Sequence, residues 1–207
     1  DGQKLFVATS NGMLVFDRQG QQLASWPAIL TYARPAAPCL SVNQDGSRFA
    51  IITRSNGKWE ARIYAVQGAD VTLELALPVE GAYGNTPRIA LSPDNTYLAF
   101  GGGEMPLRVL SFASKLEVLK LPAGIDAISF TPDGAFFAAR RSRELLFWKT
   151  SAWKNPANLL LPREDTPYAF SADGATVAIA MPTKIRIYGT GDFRPIREIN
   201  IRTSGSP

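Results

Sequence analysis

An all-β fold of tandem four-stranded antiparallel repeats is predicted by three features of this sequence. An Asp-bearing turn, usually with Gly, recurs after an apolar strand, as LSVNQDG at 40–46, ALSPDN at 90–95, ISFTPDG at 128–134 and AFSADG at 169–174. Its acids, Asp45, Asp94, Asp133 and Asp173, stand 49, 39 and 40 residues apart, and Asp1-Gly2 opens the chain in the same phase, 44 residues before Asp45. A second marker, the large residue that ends an apolar run, falls at Phe16, Tyr64, Leu110, Trp148 and Tyr188, 15 to 19 residues after the preceding Asp. The third feature is the run length: stretches of about five β-rich residues are separated by Gly, Pro, Asn and Asp, as in hairpin-linked strands. Helical periodicity is absent, and 15 prolines spread along the chain make long helices expensive. Four antiparallel strands in about 40 residues is the unit of a β-propeller blade.

Taken in order, the first repeat (1–30) holds LFVAT at 5–9, a Ser10-Asn11-Gly12 turn and MLVFD at 13–17. Asn-Gly suits such a turn because it accepts positive φ at little cost. The second (31–78) follows the Asp45 turn with RFAIIT at 48–53, Ser55-Asn56-Gly57, ARIYAV and VTLELAL at 71–77. The third (79–121) runs YLAFG, LRVLSF and LEVLKL, the fourth (122–162) FFAAR and LLFWK, and the fifth (163–201) TVAIA, IRIY and IREINI. Residues 202–207 form a tail, and the whole of 1–207 reads as one domain. Ile128, Phe130, Phe136, Phe147 and Ile187 are expected in the core between stacked blades. The acids Asp45, Asp94, Asp133 and Asp173 are expected to be structural, accepting backbone N–H bonds in Asx-type turns. A feature present in every repeat belongs to architecture, since an active site needs one copy.

Composition narrows the chemistry. The chain has 207 residues, 45% hydrophobic, enough to bury a core. A net charge of +4 and a pI near 9.3 come without a dense Lys/Arg block, so a nucleic-acid partner is permitted but not indicated. There is no histidine, which excludes Ser-His-Asp and Cys-His catalysis. With one cysteine besides, no transition-metal site is expected, and no cofactor. Cys39 cannot form an internal disulfide and reads as a buried, inert thiol. No long apolar run suggests a membrane span. The chain begins without Met or a signal segment, so it reads as a mature product or an excised piece, with the cytoplasm favoured over periplasm or secretion. Gly101-Gly102-Gly103 lacks the Lys and Ser/Thr of a phosphate loop and reads as a flexible hairpin turn. The loop acids Glu60, Glu80, Glu104, Asp126, Glu144, Glu164 and Asp165 are candidates for a carboxylate pair of the glycosidase kind, against an ordinary reading as solvated charge.

TPRIALSPDNTYLAFGG and DAISFTPDGAFFAARRSRELLFWK resemble WD-repeat propellers, and RFAIITRSNGKWEARIYAV resembles the related propellers of TolB-type proteins and prolyl oligopeptidases. The resemblance covers residues 1–201. The chain departs from the WD pattern in lacking the Gly-His pair and in replacing Trp-Asp by Phe16-Asp17, Tyr64-Ala65, Leu110-Ser111, Trp148-Lys149 and Tyr188-Gly189. In these families the loop between a blade's second and third strands shares a face with the loop entering each blade. The resemblance thus implies a binding face with Arg54, Lys58 and Trp59 from one loop and Arg140, Arg141 and Arg143 from another. Arg34, Tyr83, Arg88 and Arg163 would join from the entering loops. The same residues also read as a solvated rim neutralised by Glu60, Glu144 and Glu164. Closure has two readings: a five-bladed ring completed by the tail, or five consecutive blades of a larger propeller, the second favoured. The function implied is a non-catalytic scaffold for a protein or peptide partner, in preference to a small molecule. The rivals are a propeller accompanying a hydrolase, a five-bladed carbohydrate-active enzyme and, third, a nucleic-acid scaffold.

Overall fold

The computed structural model describes residues 4–9, 12–27, 40–55, 58–79 and 87–201, with the side chains of 27, 54 and 55 excepted. Asp1-Gly2, the turn positions 10–11 and 56–57, Cys39, Glu80 and the tail 202–207 lie outside the described residues. Every described element is a strand. The first sheet has three strands in sequential order, β1 (Lys4–Thr9), β2 (Gly12–Asp17) and β3 (Gln22–Pro27). Four sheets of four sequential strands follow. They comprise β4 (Leu40–Val42), β5 (Arg48–Ser55), β6 (Lys58–Gln67) and β7 (Asp70–Val79), then β8 (Arg88–Leu91), β9 (Tyr97–Gly102), β10 (Met105–Ser111) and β11 (Glu117–Leu121). The fourth sheet holds β12 (Ala127–Phe130), β13 (Phe136–Arg141), β14 (Glu144–Lys149) and β15 (Ala157–Leu160). The fifth holds β16 (Tyr168–Phe170), β17 (Thr176–Ala180), β18 (Lys184–Gly189) and β19 (Pro195–Asn200). Asp1–Ile128 forms one compact unit and Ser129–Pro207 a second, the division falling within β12. Among the described residues no helix is long and apolar enough to cross a membrane.

The predicted Asp turns share one hydrogen-bond network, repeated four times. Each Asp carboxylate accepts the N–H two residues on: Ser47 to Asp45 at 2.8 Å, Thr96 to Asp94 at 3.0 Å, Ala135 to Asp133 at 3.1 Å and Ala175 to Asp173 at 3.0 Å. It also accepts from a polar side chain two residues back, Asn43, Ser92, Thr131 or Ser171, at 2.5 to 2.7 Å. That side chain in turn accepts the first N–H of the next strand, from Arg48, Tyr97, Phe136 and Thr176. The residue after each Asp has positive φ, which Gly46, Gly134 and Gly174 adopt freely and Asn95 tolerates.

The two sequence markers are tied directly. Val66, Phe112, Thr150 and Thr190, each two residues past a marker, donate their N–H to the carbonyls of Ser47, Thr96, Ala135 and Ala175. Across the hairpin, Tyr64, Leu110, Trp148 and Tyr188 pair with Phe49, Leu98, Phe137 and Val177. The longer marker spacing of the second repeat arises in its hairpin, where β5 has 8 residues and β6 has 10.

Cores form between successive sheets within each unit. Met13, Val15, Trp26, Phe49 and Ile51 join the first two sheets, with Trp26 stacked on Phe49 at 5.6 Å. Ile52, Ile63, Leu98 and Phe100 join the second to the third. In the second unit Phe136, Phe147, Val177 and Ile179 join the fourth to the fifth. Of the expected core, Phe130, Phe136 and Phe147 are buried, whereas Ile128 and Ile187 are half-buried.

Hydrogen bonds hold three of the turn acids below the usual carboxylate range. For Asp45 the Ser47 hydroxyl and N–H are the cause; for Asp173 they are the Ser171 hydroxyl and the Ala175 N–H. At Asp94 burial pulls upward, but bonds from Thr96 and Ser92 outweigh it. A carboxyl depressed in the folded state contributes stability that is complete above its unfolded value near 3.8 and is lost as pH falls through the folded value. The triple variant Asp45→Asn, Asp94→Asn, Asp173→Asn is therefore expected to lose stability less steeply than the parent between about pH 5 and pH 2. Urea unfolding across that range measures it, and an equally steep acid limb in both proteins counts against this role.

Candidate functional site

The hairpin between the second and third strands of a sheet is bonded to the segment that follows its fourth strand. In the first unit the Gly103 N–H donates to the Ile125 carbonyl at 2.7 Å, and the Gly124 N–H donates to the Gly103 carbonyl at 2.6 Å. Arg88 clamps the same segment, its Nε donating to the Asp126 carbonyl at 2.9 Å. In the second unit the Leu161 N–H donates to the Arg143 carbonyl at 2.7 Å, and Arg143 Nε returns a bond to the Leu161 carbonyl at 2.9 Å. The Ser142 hydroxyl adds a bond to Glu164 at 2.7 Å.

This packing corrects one expectation. Gly101 and Gly102 do not make a flexible turn; they are buried residues of β9. A Cβ on Gly101 would strike the Pro106 carbonyl, and one on Gly102 would lie 2.8 Å from the Ile125 carbonyl. The glycines serve close backbone approach, and both have positive φ.

The predicted binding residues meet different fates. Arg34 and Tyr83 lie outside the described residues, as does the side chain of Arg54, whose backbone belongs to β5. Lys58 is exposed at the start of β6. Trp59 is half-buried and packs against the core between the second and third sheets. Arg88 and Arg143 spend their Nε groups on the tethers above. Arg141 is exposed and bonds Glu144 at 3.0 Å, which with Asn158 holds that carboxyl below its usual range. Arg163 is exposed and forks onto Asp165 at 3.1 and 3.3 Å. Glu60 pairs with Arg62 at 2.8 Å. Arg140 differs. It is half-buried, its Nε is sealed from solvent without an acceptor, and its charge acts on the Tyr168 phenol. The Ser129 side chain interacts with the same phenol and opposes the upward pull of burial on it. Neither Ser129 nor Tyr168 was singled out by the sequence.

Two cavities lie between the second and third sheets. One of about 480 Å³ is lined by Pro78, Val79, Phe100 and Pro106, with Arg108 5.5 Å above the Phe100 ring and bonded to Glu117 at 2.6 Å. The other, about 250 Å³, is lined mainly by Ile63, Leu75, Leu77, Leu110 and Phe112 beside Glu74. Each has one carboxylate in its wall. Among the described residues no three His, Cys, Asp or Glu side chains converge as metal ligands.

No protein-family model matches the chain, and no curated protein matches it. Among solved structures it is similar to dihydro-heme d1 dehydrogenase NirN in complex with DHE, with a TM-score of 0.61 and 17% sequence identity. The match covers 100% of this chain and 46% of that one. The fold is a β-propeller of four-stranded antiparallel blades. The chain spans about half the length of the solved propeller. At such low identity the likeness reaches the architecture alone, and 1038 matching solved chains share it, so function must be argued from the site.

Within this edge of the propeller, Gly101→Ala is expected to cost about 3 kcal/mol or more, because a backbone clash adds to a strained φ of 115°. Arg141→Ala and Arg163→Ala, which break exposed ion pairs, should each stay within about 1 kcal/mol of the parent. Urea unfolding of the three variants tests both statements; a mild Gly101→Ala would mean that the hairpin is loose.

Proposed function

We propose that the chain is a non-catalytic propeller of the WD-repeat and TolB-like kind that docks a protein or peptide partner on the hairpin edge of its fourth blade. One observation carries this reading: a main-chain bond from Leu161 to Arg143, with the side-chain bonds of Arg143 and Ser142, already fixes the hairpin between β13 and β14 to the segment entering the next blade. The guanidinium groups of Arg140, Arg141, Arg143 and Arg163 are therefore carried on preorganised backbone, and a partner would lose little entropy in ordering them. Four arginines against Glu144, Glu164 and Asp165 favour an acidic segment. A small-molecule reading stands second, favoured by the 480 Å³ cavity and by likeness to a propeller solved in complex with DHE. The carbohydrate reading finds one carboxylate in each described cavity wall where it needs several.

Selection from a phage-displayed random peptide library tests the first reading. Enrichment of Asp- and Glu-rich peptides is expected, with affinity falling about tenfold or more in Arg141→Glu/Arg163→Glu while the melting temperature holds. No enrichment, or undiminished binding by the variant, removes it.

A further inference from the structure

A row of directly opposed residues crosses the third sheet from β8 to β11: Ile89, Phe100, Arg108 and Lys120. Opposed side chains share a face, with Cβ atoms about 4.5–5.5 Å apart. The row therefore sets two cations side by side, an arrangement that weakens a sheet. The repeat shows that a blade does not require it. Opposite the matching residues Leu14, Arg62, Leu146 and Arg186, the other sheets place Ser25, Ala76, Asn158 and Glu198. Guarding a sheet edge calls for a charge but not for this sign, since Glu198 does so in the fifth sheet while bonding Arg186. In the third sheet Glu117 bonds Arg108 at 2.6 Å, and Lys120 is exposed with no ion pair among the described residues. Both cations line the cavity of about 480 Å³, whose remaining wall is Glu117 and the apolar Pro78, Val79, Phe100 and Pro106.

We infer that this cavity binds a small amphipathic carboxylate, one acid group on an apolar body the size of an aromatic ring. The charge sets the acid. Arg108 and Lys120 against Glu117 leave one positive charge in the wall, which one carboxylate neutralises and a phosphate monoester, at about −1.5 to −2, overshoots. The donors suit it too: Lys120 offers three N–H groups, and Arg108 gives only its Nε to Glu117. The apolar residues set the body, in a cavity whose volume of about 480 Å³ is usual for a small-molecule site. Arg108 lies 5.5 Å above the Phe100 ring, which holds the guanidinium in place before a ligand arrives. An acid seated between the two cations would also relieve their repulsion. The inference rests on the small-molecule reading and is independent of the peptide edge of the fourth blade.

The test is a ¹H–¹⁵N titration of the whole chain with phenylacetate, phenylacetamide, acetate and phenyl phosphate at matched ionic strength, following the backbone resonances of Phe100, Arg108 and Lys120. Saturable shifts with phenylacetate are expected, with phenylacetamide and acetate each about tenfold weaker or more. Lys120→Gln should weaken phenylacetate binding about tenfold, whereas Lys120→Arg, which keeps the charge, should stay within about threefold of the parent. The melting temperature of Lys120→Gln should match or exceed that of the parent, because a like-charge pair is gone. A lower melting temperature in that variant makes the cation structural and overturns the site. Unchanged affinity in Lys120→Gln, or phenyl phosphate binding more tightly than phenylacetate, overturns it as well. Equal binding of phenylacetate and phenylacetamide overturns the acid site and leaves the small-molecule reading standing. No saturable response to any probe removes both, and leaves the peptide reading to its own selection.

Discussion

The hydrogen-bond network of the Asp turn sets the phase of everything else in each repeat. Its carboxylate holds the backbone two residues on, and its polar neighbour two residues back holds the next strand's first N–H. The strand therefore leaves the turn with its alternation already decided. Four residues past the Asp stand Phe49, Leu98, Phe137 and Val177, and six past it Ile51, Phe100, Ala139 and Ile179, all of them almost wholly buried. The first repeat gives the contrast: Leu5, at the corresponding place in β1, is 60% exposed. A one-residue slip in any of the four later turns would drive these large side chains to the opposite face, into the places of Ala50, Ala99, Ala138 and Ala178, so the turn matters more than its few bonds suggest.

This dependence explains what could be read from the sequence and what could not. Asp45, Asp94, Asp133 and Asp173 were legible because one residue type recurs at one spacing. Their partners Asn43, Ser92, Thr131 and Ser171 were visible but unassigned, since an amide and two kinds of hydroxyl perform the same task. Gly101 and Gly102 were misread as turn residues because their reason is close backbone approach, of Pro106 across the hairpin and of Ile125, more than twenty residues away along the chain. Trp59 carried an interface signature from its type alone, and its burial against the neighbouring sheet could not be read locally. Ile128 and Ile187 obey strand alternation yet remain half-buried, because covering depends on the adjacent sheet.

Charge follows the same logic. Fourth strands are sheet edges, and a bare edge invites pairing with another chain. β7, β11 and β19 carry Glu74, Glu117 and Glu198, which draw Arg48, Arg108 and Arg186 across their own sheets at 2.5 to 2.7 Å. These pairs are exposed or half-exposed and add little stability each. Their use lies in breaking up edges that also show Leu73, Leu75, Ile196 and Ile199. Much of the basic balance of the chain is thereby consumed within blades, which is why a net charge of +4 says little about partners.

A repeat protein supplies its own standard of comparison. Residues that recur at one position build the blade, so a residue that breaks the series at a cost needs a reason the blade cannot give. Lys120 breaks it opposite Arg108, where the fifth sheet sets Glu198 opposite Arg186. Two like charges there weaken the third sheet, and Glu117, already bonded to Arg108, answers only one of them.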